Sequence, residues 1–313
     1  MQATKPRPLH TPMDQFDVQD NQLLIGGRTL DHIADMLDKQ VFYAYDKSVV
    51  RKQIDNFRHH MPKLIKLHYA VKANPYPALV HTMKDWVEGF DVASQKEMLL
   101  AMQSGMPSWD ISFAGPSKQV SEIRAAIAAG VTLHVESELE LERAISIGAE
   151  LGIKPIIAFR VNPAFELKAS GMKMGGGPKQ FGIDEEQLFE ILPGLDYSQF
   201  EFRGFHIYWG SQNLKQEAII EAHNNTFALS QKLMDITPVP TLTVNLGGGL
   251  GIPYFPGEKR LDLAPIGENL TQLLKQYPQL AALELIFELG RFLVAEAGIY
   301  ASRITDIKVS RGH

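Results

Sequence analysis

Eight short apolar runs, separated by longer stretches of helical periodicity, constrain this chain more than any other feature. The runs cover residues 64–71, 89–92, 111–114, 131–135, 155–161, 202–207, 242–246 and 283–288. Between them lie helical patterns such as 95–104, 118–129, 138–151 and 218–233. Strand–helix alternation of this kind implies right-handed βαβ units and a parallel sheet. Eight units within residues 64–288 predict a closed (β/α)8 TIM barrel. A doubly wound open sheet satisfies the same alternation and is the alternative.

Further strand-like segments lie outside this run. Residues 22–30 read as a strand with a hairpin turn at Gly26-Gly27, and residues 292–300 and 303–309 read as strands. Strands at both ends of a barrel sequence predict a second, β-rich domain assembled from the termini. Its N-terminal segment is then 1–40, the barrel is 41–291, and 292–313 is the start of a C-terminal part expected to be truncated. Residues 169–182, after the fifth strand, contain five glycines (Gly171, Gly175, Gly176, Gly177 and Gly182) and predict a functional loop.

Composition narrows the class. The 313 residues are 45% hydrophobic and 21% charged, a soluble globular profile, and a net charge of −5 argues against a nucleic-acid surface. With no cysteine there is no disulfide, thiol nucleophile or thiolate zinc site, and no metal is expected. No apolar run reaches the roughly 18 residues of a membrane helix, and the first twenty residues lack a signal-peptide core. These absences predict a cytoplasmic protein with no membrane partner.

In a (β/α)8 barrel the active site lies at the C-terminal ends of the strands. The first run ends in Lys72, within His68-Tyr69-Ala70-Val71-Lys72-Ala73-Asn74-Pro75, where Asn-Pro stops the strand. Burial there should push the lysine pKa down and favour a nucleophilic amine, whereas the plainer reading is a lysine snorkelling to solvent. The other ends carry Asp91 with Ser94 and Glu97, then Arg160, then His206, Tyr208 and Ser211, then Gly247-Gly248-Gly249, and finally Glu288, Gly290 and Arg291. Glycine N–H groups near Ser211 and Arg291 form a phosphate site, although the glycines alone also read as a tight turn. A phosphate site and a lysine on one rim point to pyridoxal phosphate. A carboxylate at Glu288 would then keep the pyridine nitrogen protonated, unless it merely pairs with Arg291.

These motifs, including Phe90-Asp91-Val92-Ala93-Ser94 and Glu288-Leu289-Gly290-Arg291, resemble the fold-type III pyridoxal-phosphate decarboxylases acting on diaminopimelate, ornithine and arginine. The resemblance covers about residues 20–313. Gly171–Gly182 and Leu246–Tyr254 look closest to two branches, the exosortase- and exopolysaccharide-associated decarboxylases and those acting on carrier-protein-bound glutamate. The resemblance implies that Lys72 is the Schiff-base lysine and Glu288 the partner of the pyridine nitrogen. Ser211, Gly248, Gly249, Gly290 and Arg291 would hold the phosphate, with Asp91, Glu97, Arg160 and His206 in support. It further implies decarboxylation of an L-amino acid, free or carrier-bound, by a homodimer.

Two departures stand out. The family's ring-stacking histidine is replaced by Tyr208, and its C-terminal Cys-Asp motif is absent from this cysteine-free chain. As given, the chain is expected to bind cofactor yet turn over poorly. Two alternatives remain. One is a racemase of the same fold, which usually sets an arginine where Glu288 stands. The other is a non-catalytic barrel that binds pyridoxal phosphate for homeostasis.

Overall fold

The structure is a computed structural model that describes residues 9–165, 172–173 and 175–311. Eight parallel strands form a closed ring: β1 (Ile65–Ala70), β2 (Gly89–Val92), β3 (Ile111–Phe113), β4 (Thr132–Val135), β5 (Ile156–Asn162), β6 (Glu201–Ile207), β7 (Thr243–Asn245) and β8 (Glu284–Leu289). Each strand pairs with the next, and β8 closes on β1 with Glu288 opposite His68. The barrel is therefore closed, and the open-sheet alternative falls. Every predicted apolar run contains one of these strands to within two residues at either end.

Helices follow the strands: α1 (Pro77–Met83), α2 (Gln95–Gln103), α3 (Val120–Ala129), α4 (Glu138–Leu151), α5 (Glu185–Ile191), α6 (Gln216–Ile236), α7 (Ala264–Gln276) and the short α8 (Arg291–Val294). Local chemistry sets their ends. Ser94 and Ser137 accept the N–H groups of Glu97 and Glu140 to start α2 and α4, and left-handed Gly130 and Gly152 stop α3 and α4.

The strands present different chemistry to their two faces. Leu67, Tyr69, Phe90, Phe113, Phe159, Phe205 and Phe287 are almost fully buried and apolar. Phe287 meets Phe57 of the helix Lys47–His60 edge-on at 5.4 Å. Each such side chain contributes about 1.5–3 kcal/mol by leaving water. The alternate residues pointing into the barrel include His68, Asp91, Ser112, His134, Arg160, His206, Asn245 and Glu288, all buried and polar. A barrel interior that expensive to desolvate has a use other than packing.

The termini fold differently from expectation. The turn at Gly26-Gly27 joins strands Gln22–Ile25 and Arg28–Thr29, as predicted. Residues 292–297, however, are helical, because Gly290 opens α8 where a strand was expected. The strand there is Gly298–Ser302, which pairs antiparallel with Val41–Tyr45. Residues 303–309 form no strand. Among the described residues, no helix is long and apolar enough to cross a membrane.

Candidate active site

The C-terminal rim of the barrel opens into a cavity of about 800 Å³. Of the rim residues predicted from sequence, Lys72, Tyr208, Ser211, Glu288, Gly290 and Arg291 line it. Tyr43, Tyr45 and Tyr300, from the terminal strand pair, form its outer wall.

Lys72 does not end a strand. β1 stops at Ala70, and residues 71–73 make one 3-10 turn before Asn74-Pro75. That turn swings the side chain over the barrel mouth, where 54% of it is accessible within the cavity. Its Nζ lies 3.3 Å from Oε1 of Glu288. The expected lowering of its pKa is therefore overturned. The Glu288 carboxylate raises it above the ordinary lysine value, outweighing the desolvation that pulls it down.

Glu288 sits at the cavity floor, buried on β8. Burial alone would raise its pKa, but Lys72 and then His206 hold it well below the usual carboxylate range. Its second oxygen, Oε2, is 3.2 Å from Nε2 of His206, off the line of a good hydrogen bond. A charged buried oxygen thus retains capacity to accept a hydrogen from a ligand.

Gly248 and Gly249 pack beneath the rim rather than along it. A Cβ on Gly248 would meet the Glu288 carbonyl oxygen at 1.9 Å, and one on Gly249 would meet the Gly210 oxygen at 2.6 Å. Glycine is required here by close backbone approach. The N–H groups of Gly248, Gly249 and Gly290 have no hydrogen-bond partner among the described residues. With the Ser211 hydroxyl and the Arg291 guanidinium at the cavity wall, these donors suit a phosphate group.

The remaining predicted residues stand behind the cavity. Asp91 accepts from Ser112 and lies 3.6 Å from His68, inside the barrel and away from the lining. Glu97 accepts the Ala93 N–H and caps α2. Arg160 pairs with Glu136 at 2.8 Å, and its guanidinium lies 4.9 Å from the Phe181 ring centre and 5.9 Å from that of Tyr208. His206 is buried under Glu288. Burial, then the Glu288 charge, raises the Tyr208 pKa above its ordinary value. In the glycine-rich loop, Gly171 lies outside the described residues, while Met172–Lys173 pairs antiparallel with Gly210–Ser211.

Sequence reasoning missed Glu136 and His134. Glu136 accepts from Arg160 and from the Gly115 and Gly182 N–H groups, tying the loop end to the barrel. Both residues sit at the end of β4, in His134-Val135-Glu136-Ser137. Extending the strand-end inventory to the fourth run would have found them.

A lysine and a buried carboxylate on one barrel rim, with backbone N–H donors at and beneath it that have no partner among the described residues, fit a barrel that holds an aldehyde cofactor by its two ends. The donor set fits pyridoxal phosphate: a lysine amine for the aldehyde, an anionic acceptor for a protonated ring nitrogen, and donors for a phosphate. Comparison with known proteins agrees. Residues 47–295 match the pyridoxal-dependent decarboxylase family through its pyridoxal binding domain, and the chain belongs to that family.

An L-glutamyl-[BtrI acyl-carrier protein] decarboxylase of Niallia circulans is 32% identical over 87% of this chain, which spans 64% of that protein's length. A 2-[(L-alanin-3-ylcarbamoyl)methyl]-2-hydroxybutanedioate decarboxylase of Staphylococcus aureus is 30% identical, with 86% of this chain and 68% of that protein covered. The crystal structure of a point mutant of diaminopimelate decarboxylase from Helicobacter pylori superposes with a TM-score of 0.75 at 28% identity, covering 85% of this chain and 68% of that one.

Proposed function

We propose that this chain carries the cofactor site of a pyridoxal-phosphate-dependent decarboxylase that removes the α-carboxylate of an L-amino acid. The observation that carries the reading is the ionised carboxylate of Glu288 beside Lys72 at the floor of the cavity. Bound pyridoxal phosphate supplies an electron sink for the carbanion left at Cα when carbon dioxide departs. The chain's own residues prepare that chemistry. Lys72 presents the amine that bonds the aldehyde. Glu288 holds a proton on the ring nitrogen, which a cationic partner could not do, and this favours decarboxylation over the racemase reading. Ser211, Arg291 and the Gly248, Gly249 and Gly290 N–H groups bind the phosphate. Tyr208 offers a ring face braced by Arg160.

The finer reading is a substrate larger than a free diamino acid. The carrier-protein relative supports it. A homodimer and a cytoplasmic location belong to the same proposal.

In the test, pyridoxal phosphate is added to the chain and to Lys72→Ala. The parent is expected to show the visible absorbance of lysine-bound cofactor and the variant to lose it. A screen for carbon dioxide release should include diaminopimelate, ornithine, lysine, arginine and glutamyl-carrier protein. An unchanged spectrum in Lys72→Ala, or chiral inversion without carbon dioxide, overturns the reading.

A further inference from the structure

Behind Glu288 lies a second layer of titratable side chains that the cofactor site does not use. His206, on β6, and His134, on β4, meet across the intervening strand β5. Their Nδ1 atoms are 2.8 Å apart and their ring centres 4.7 Å apart. In register on β5, His134 pairs with Ala158 and His206 with Arg160. The result is a line of four groups, the first three buried: His134, His206, Glu288 and Lys72, with successive contacts of 2.8, 3.2 and 3.3 Å.

Two ring nitrogens 2.8 Å apart share one hydrogen. If His206 supplied it, the neutral ring would turn a lone pair toward the Glu288 carboxylate. The charged ring would instead add a buried cation beside Lys72 and Arg160. If His134 supplies it, the neutral His206 ring carries its hydrogen on Nε2, so the ring nitrogen 3.2 Å from Glu288 Oε2 presents a hydrogen rather than a lone pair, off the line of a good hydrogen bond. We infer that His134 is a positioning residue: it donates its Nδ1 hydrogen to His206 and so fixes the tautomer that keeps a hydrogen, not a lone pair, on the ring nitrogen nearest Glu288. Burial, the largest cause, keeps His134 well below the ordinary imidazole range, in agreement with a neutral donor. The groups facing the pair include Lys118, whose Nζ donates to the His134 carbonyl, Arg160 and Glu288. The catalytic consequence rests on the proposed function, because it acts through the hold of Glu288 on a ring nitrogen. The tautomer does not.

The experiment is nitrogen-15 NMR of imidazole-labelled, cofactor-free chain. His206 is expected with hydrogen on Nε2 and none on Nδ1, and His134 with hydrogen on Nδ1. In His134→Phe the His206 ring should lose its single tautomer, and His134→Asn, which retains an amide donor, should restore it. Finding His206 in the Nδ1–H form or as imidazolium in the parent overturns the inference even if the phenylalanine variant fails to fold. So does a His206 spectrum unchanged in a folded His134→Phe. With cofactor and substrate, kcat is expected to fall about tenfold in His134→Phe at unchanged KM, the low end of what outer hydrogen-bonding partners contribute. Should Lys72→Ala leave the cofactor spectrum unchanged, the proposed function fails while the tautomer result still decides this inference.

Discussion

Glu288 governs the charge of the rim. It raises Lys72, and Lys72 and His206 together overcome the burial that would otherwise neutralise it. Removing its charge reverses the first effect. In Glu288→Gln the Lys72 pKa in the cofactor-free chain should fall below the parent's, read by NMR titration of the methylated amine. A value that stays or rises would show that some other group holds the lysine charged. The identity of these residues was legible from strand ends alone, because a barrel collects its chemistry there. Their electrostatics were not. Nothing in Ala70-Val71-Lys72-Ala73 says that the lysine meets a carboxylate 216 residues later, and without that partner burial was the only term in view.

The eight barrel strands were legible to within two residues because a parallel strand needs a continuous apolar run, whereas the 218–233 helical pattern stopped three residues short of the end of α6. The error after Gly290 has a specific cause. Phe292, Leu293 and Val294 are apolar on consecutive positions, which suits a buried strand and a fully buried helical turn equally. The glycine loop after β7 was not legible as a packing device. Gly248→Ala places a methyl group against the backbone of β8 itself and should lower stability by about 3 kcal/mol or more. Cofactor affinity should fall with it, since Glu288 moves. Gly194→Ala, where a methyl group meets open space, should leave the thermal midpoint unchanged. Equal midpoints for the two variants would show that the loop is free to yield.

Across the whole molecule, buried imidazoles couple stability to pH. His223, packed against Trp209 and Phe287 with neither nitrogen hydrogen-bonded, is pushed down to about 3 by burial. His134 is lowered as well. Below about pH 6.5 the unfolded chain takes up protons that these folded histidines refuse. Their contribution is intact above that pH and is lost as pH falls, by about 1.4 kcal/mol per pH unit for each ring. His68 works the other way. Burial lowers it, Asp91 more than compensates, and its contribution is present at low pH and lost as pH rises through its elevated value. His223→Leu should therefore flatten the decline of the thermal midpoint between pH 6.5 and pH 5. A slope identical to the parent's would mean that His223 has a proton acceptor in the folded chain.

The cavity wall has a consequence for how the protein is made. Tyr43 and Tyr45 stand on one strand of the terminal ribbon and Tyr300 on the other, and the two strands are some 250 residues apart in sequence. Ribosomes deliver the chain from its N-terminus at about 5–20 residues per second. Lys72 is thus in place many seconds before Glu288 and Gly298–Ser302 exist. During that interval the lysine has neither its carboxylate nor its outer wall. The site cannot ripen by degrees: it comes into being only when the late strand lies down beside the early one.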